Sequence, residues 1–68
     1  MQKSVKLSTL KRGEMFTLKD ISQPSGKQVW IKDEYDRTEK KYLITNFDDF
    51  NRFRLIKGNT VVYTDFWF

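Results

Sequence analysis

Carboxylates offer the first candidates for chemistry. Asp48 and Asp49 are adjacent in NFDDFN, and Asp33, Glu34, Asp36 and Glu39 crowd into DEYDRTE. A catalytic pair must converge on one substrate, yet neighbours in an extended chain point to opposite sides. Asp48-Asp49 therefore reads as a solvated turn begun by Asp. A calcium loop counted from Asp33 wants oxygen ligands at its third and fifth places and Gly at its sixth. Those places hold Tyr35, Arg37 and Thr38, so calcium is rejected. Gly26-Lys27 lacks the upstream Gly of a phosphate-cradling loop. With no His and no Cys, the commonest general base, the most nucleophilic side chain and the usual zinc ligands are all missing. The sequence predicts a non-enzyme with no metal and no cofactor.

Cations and aromatics are the other candidates. Thirteen Lys and Arg against nine acids give a net charge of +4, with a pI of about 9.5. That balance leans toward a polyanion, nucleic acid before a membrane surface. The sharpest local pattern is FRLI-KGNT-VVYTDF, where Gly58-Asn59 places Gly first, as a two-residue II′ hairpin loop prefers. Such a loop sets Ile56 opposite Val61, Leu55 opposite Val62, Arg54 opposite Tyr63, Phe53 opposite Thr64 and Arg52 opposite Asp65. Phe53, Leu55, Val62, Thr64, Phe66 and Phe68 then share an apolar face, and the aromatic tail continues a core strand. Arg52, Arg54, Ile56, Val61, Tyr63, Asp65 and Trp67 share the other face, with Lys57 beside the turn. Guanidinium groups neutralise phosphates while aromatic rings stack bases at roughly 1–3 kcal/mol each, so this composition suits single-stranded nucleic acid. The candidate site is Arg52, Arg54, Tyr63 and Trp67, supported by Lys57, Trp30 and Lys32. The same residues also read as ordinary cross-strand pairs, or as Arg and aromatic anchors for a protein partner. Both alternatives stay open.

The elements that must position these groups are short. Val5 and Leu7 lead into Ser8-Thr9-Leu10-Lys11, where Ser8 can cap one helical turn and Gly13 can end it in the left-handed region. Leu7 and Leu10 would plug one side of a core. Met15–Lys19 alternates, with Phe16 and Leu18 on one face of a strand. Gln23-Pro24-Ser25-Gly26 fits a type I turn. QVWIKDE predicts a strand with Val29 and Ile31 on one side and Trp30 and Lys32 on the other. The polar segment YDRTEK turns the chain, and Tyr42–Thr45 returns as a hairpin partner. The register of this 28–34/41–47 hairpin is left open, because a slip by one exchanges Leu43 for Ile44 on the core face. In NFDDFN, Phe47 and Phe50 are expected to tuck inward.

Sixty-eight residues make a single domain, 1–68, with a thin stability margin. Aromatics at 16% supply the bulk of so small a core, each burying roughly 150–250 Å². About five short strands and at most one short helical turn predict an all-β fold, a small SH3-like or reduced OB-like barrel. Such barrels keep open edges. Trp67 would lie at one, and a homodimer through that edge strand is an expectation. No leading apolar run marks a signal peptide and no stretch reaches the ~18 apolar residues of a span. The expectation is a cytoplasmic chain without membrane association.

The run VWIKDEYDRTEKKY, followed by FDDFNRF, KGNTVVY and DFWF, resembles short reading frames, carrying no assigned activity, of gut anaerobes and their phages or mobile elements. The likeness covers most of the chain after Met15 and includes Tyr35-Asp36-Arg37. It implies a small accessory protein of a mobile element, with a DNA-associated or inhibitory role, and it carries over no site residues.

Overall fold

A computed structural model describes residues 4–64 and Phe66. Apolar residues recurring at every second position give six strands: β1 (Ser4–Lys6), β2 (Met15–Thr17), β3 (Val29–Asp36), β4 (Lys41–Asn46), β5 (Phe53–Ile56) and β6 (Val61–Tyr63). They form one antiparallel sheet in the order β1-β6-β2-β3-β4-β5. The fold is all-β, as expected, and the sheet is not closed: β1 and β5 are its edges. Six strands replace the expected five. Two lone 3₁₀ turns, Leu7–Thr9 and Gly26–Gln28, replace the single helical turn. Among the described residues no helix is long and apolar enough to cross a membrane.

Antiparallel partners opposite one another point to the same side of a sheet. The ladder sets Phe16 opposite Trp30 and Trp30 opposite Asn46, while Ile44 lies between Lys32 and Arg54. This inner face is the core. Phe16, Trp30, Ile44 and Val62 are buried in one cluster with Leu7 and Leu10, the two residues expected to plug it. The plug is held by main-chain bonds: Leu7 N–H donates to the Thr60 carbonyl and Ser8 N–H to the Gly58 carbonyl, both at 2.9 Å. The β3–β4 hairpin forms with Ile44 inward and Leu43 outward, which resolves the open register. A bulge between Lys32 and Tyr35 shifts that register once, and the Tyr35 and Tyr42 rings then meet at 4.8 Å.

The last hairpin is overturned. β5 pairs with β4, setting Tyr42 opposite Ile56 and Ile44 opposite Arg54, while β6 lies between β1 and β2. The Lys57–Thr60 turn exists, closed by Thr60 N–H to the Lys57 carbonyl at 3.1 Å. It serves a crossing from one side of the sheet to the other instead of a return. Gly58 is required there for space: a Cβ would stand 2.8 Å from the Tyr42 ring and 3.1 Å from the Ser8 Cβ. With its partner changed, β5 also turns over. Ile56 packs against the core, whereas Phe53 and Leu55 stand outward at 65% and 39% exposure. Phe47 and Phe50 are likewise exposed instead of tucked in. β6 (Val61–Tyr63) is an interior strand, and β1 and β5 are the open edges of the sheet. Val62 is fully buried and Thr64 and Phe66 are half-buried. The expectations placed on Asp65, Trp67 and Phe68 fall outside the described residues.

Two smaller turns differ from expectation in instructive ways. Gly13 takes φ +93°, but in a turn closed by Glu14 N–H to the Lys11 carbonyl, beyond the 3₁₀ turn that ends at Thr9. Ser25 opens the second 3₁₀ turn, its N–H donating to Gln28 Oε1 at 3.0 Å and its carbonyl accepting from Gln28 N–H. That turn replaces the type I turn expected two residues earlier.

Candidate functional site

Beyond the buried cluster, the inner face opens into a cleft of about 260 Å³ lined by Leu18, Lys19, Ile21, Lys27, Gln28, Trp30, Arg52 and Arg54. Its floor is the strand pair β2–β3, which sets Trp30 beside Phe16. One wall is β5 and the residue before it. Arg54 sits opposite Ile44 in the ladder, and the Arg52 carbonyl accepts from Asn46 N–H at 2.8 Å, so both arginines fall on the inner side. The other wall is the chain between β2 and β3, which brings Lys19 and Lys27.

A fully buried amide ties the two walls together. Asn46 Nδ2 donates to the Lys27 carbonyl at 2.8 Å, and its Oδ1 accepts from Asp48 N–H at 3.0 Å. Buried polar groups left without partners cost roughly 1–3 kcal/mol, and this side chain satisfies both of its ends. Thr17, also fully buried, donates from its hydroxyl to the Lys19 carbonyl at 2.7 Å, which fixes the start of the lysine-bearing wall.

The electrostatics of the cleft are one-sided. Lys19, Lys27, Arg52 and Arg54 all line it, and among the described residues no carboxylate does. None of the four is in an ion pair among the described residues; the acids Asp33 and Glu34 are engaged elsewhere by Arg12, at 3.5 and 3.2 Å.

The structure thus gathers three of the sequence-predicted site residues, Arg52, Arg54 and Trp30, and disperses the others. Trp30 is buried against the core and shows the cleft only an edge. Tyr63 is opposite Thr17, so it belongs to the other face of the sheet. Lys57 is exposed at the crossing turn. Trp67 lies outside the described residues. Lys32 is buried at 5% exposure. Its ammonium donates to the Leu10 carbonyl and stands 4.2 Å from the centre of the Tyr42 ring. Burial lowers its pKa below the usual lysine value, with the Glu14 carboxylate opposing the shift. This lysine serves the core and is spent there.

Lys19, Lys27 and the buried Asn46 were not found from sequence. Lys19 and Lys27 are separated by seven residues of irregular chain, and no periodicity places such residues on a common wall. No known protein family, curated protein or solved structure matches the chain.

Proposed function

We propose that the protein is a small, non-enzymatic module that binds single-stranded or flexible nucleic acid in this cleft, acting with cytoplasmic nucleic acid as an accessory of a mobile element. One observation carries the reading: Lys19, Lys27, Arg52 and Arg54 converge on a cleft lined by no carboxylate among the described residues. Like charges brought together repel unless an anion joins them, and a phosphate chain is the polyanion a net charge of +4 attracts. Arg presents a planar fork suited to phosphate oxygens, and Lys a compact mobile charge.

The test is tryptophan fluorescence during titration with a mixed-sequence single-stranded oligonucleotide at two salt concentrations. Trp30 lines the cleft and reports directly. Four neutralised phosphates predict a log–log salt slope of about −3, at ~0.7 per phosphate on a single strand. Arg52→Ala and Lys27→Ala should each reduce the slope by about one such unit. Absence of binding at low salt refutes the reading.

A second reading, a protein-binding or self-associating module, is favoured by a different observation. The outer side of β4 and β5 carries a depression of about 430 Å³ lined by Glu34, Tyr35, Asp36, Arg37, Leu43, Phe53 and Leu55, beside the open edge of β5. Exposed edges with apolar side chains are templates for strand pairing with another chain. Sedimentation across a hundredfold concentration range separates self-association from a monomer.

A further inference from the structure

The cleft offers cations for phosphates, yet it offers the bases almost nothing. Trp30 is 6% exposed, and Tyr63 belongs to the opposite face. A ring for stacking must be both bare and fixed, because a mobile one loses the gain to ordering entropy. One aromatic, two residues from the cleft-lining Arg52, is bare and is carried on a hydrogen-bonded turn. Phe50 is 76% exposed, the barest of the large apolar side chains among the described residues.

The turn that carries Phe50 is closed by hydrogen bonds on both sides of it. Arg52 N–H donates to the Asp49 carbonyl at 3.0 Å, and Asn51 N–H donates to Asp49 Oδ1 at 3.0 Å. The loop's two ends are joined by Asn46 N–H to the Arg52 carbonyl. Asn46 itself is anchored to the Lys27 wall through its amide. Phe50 thus stands at the apex of a pinned turn that ends on a cleft-lining arginine, two residues away and at most about 7.6 Å between Cα atoms. Asp48 and Asp49 flank the ring on its sequence side.

Resting on the nucleic-acid reading, we propose that Phe50 is the base-stacking platform of the site, holding one unpaired base of any identity while Arg52 and its neighbours hold the adjoining phosphates. Every base has a π-face, so the contact is sequence-tolerant. Exposure of the ring also means that Phe50→Ala removes little from the core.

The experiment compares a mixed-sequence single-stranded oligonucleotide with an abasic strand of the same length, by anisotropy, for the wild type, Phe50→Ala and Phe50→Trp. The wild type is expected to bind the intact strand roughly tenfold tighter than the abasic one, within the range stacking of one base gives. Phe50→Ala should bring the intact strand down to the abasic level while leaving abasic binding unchanged, and Phe50→Trp should keep the preference. If Phe50→Ala keeps the wild-type preference, or weakens both strands equally, the stacking role is overturned while the cationic cleft stands. Failure of the wild type to bind either strand overturns the nucleic-acid reading and the stacking role together.

Discussion

Along β4 and β5, alternate residues live in opposite surroundings. Inward, Ile44 is fully buried and Ile56 packs on the core, with Arg54 at the mouth of the cleft. Outward, one residue along, Leu55 is 39% exposed and Phe53 65%. Leu43 is only half-buried. Hydrophobicity does not separate these sets; Phe and Leu are as apolar as Ile. What separates them is cover. The inner face receives the Leu7–Leu10 segment, tied down through Gly58 and Thr60, whereas the outer side of β5 borders a depression rimmed by Glu34, Asp36 and Arg37. In a domain this small the chain has enough length to cover one side of its edge strand.

The largest effect expected from that difference is on stability. Ile44→Ala should cost about 2–5 kcal/mol, because a fully enclosed side chain leaves a cavity behind. Against the usual margin of about 5–15 kcal/mol, which a chain of this size meets at its lower end, that approaches unfolding. Leu43→Ala removes as many carbons from the half-buried side of the same strand and should cost well under half as much. Urea denaturation of the pair measures the contrast, and equal losses would show that the outer face is covered in solution.

Gly58→Ala comes next, at about 1–3 kcal/mol, the usual cost of forcing atoms into a packed site. The added methyl would press on the Tyr42 ring and Ser8, and so on the contact that holds the cover over the inner face. Asn59→Ala, the adjacent turn residue, carries no such contact and serves as the control. A wild-type melting curve for Gly58→Ala would mean that the crossing turn is not seated against β4.

These residues also show how much was legible from sequence. Strands β2 to β6, the β3–β4 hairpin and the Leu7/Leu10 plug follow from alternation and spacing, because a local pattern governs them, whereas β1 is too short to show one. Gly58-Asn59 does form a turn, but neither the expected hairpin nor its II′ form, since Gly58 does not take the positive φ that form needs. Turn chemistry fixes the local bend, but the choice of partner is settled by which strands still have an open ladder, and β4 had one for β5. The faces followed that choice. Once β5 answers to Ile44 and Tyr42 instead of Val62, Phe53 and Leu55 must turn outward. The cleft was legible in part for the same reason. Arg52, Arg54 and Trp30 belong to regular or nearly regular chain, whereas Lys19 and Lys27 come from an irregular connection, whose path is set by the buried Asn46 amide and the Thr17 hydroxyl.

The subtlest difference between the faces lies in Lys32, a cation used inside the core while its neighbours serve the cleft. Its pKa is lowered by burial, against a smaller opposing pull from Glu14. The folded protein therefore releases this proton at lower pH than the unfolded chain does. The cost of burying the ammonium is fully present below the lowered pKa and is relieved as pH rises from there toward the ordinary lysine value. Relative to Lys32→Met, which fills the same space without a proton to lose, the wild type should gain stability through the alkaline range up to the ordinary lysine value. Chemical denaturation of both proteins across that interval checks the slope. A difference that stays flat or falls would mean that the ammonium is solvated, and that the inner face is less dry around Leu10 and Tyr42 than their contacts with Lys32 require.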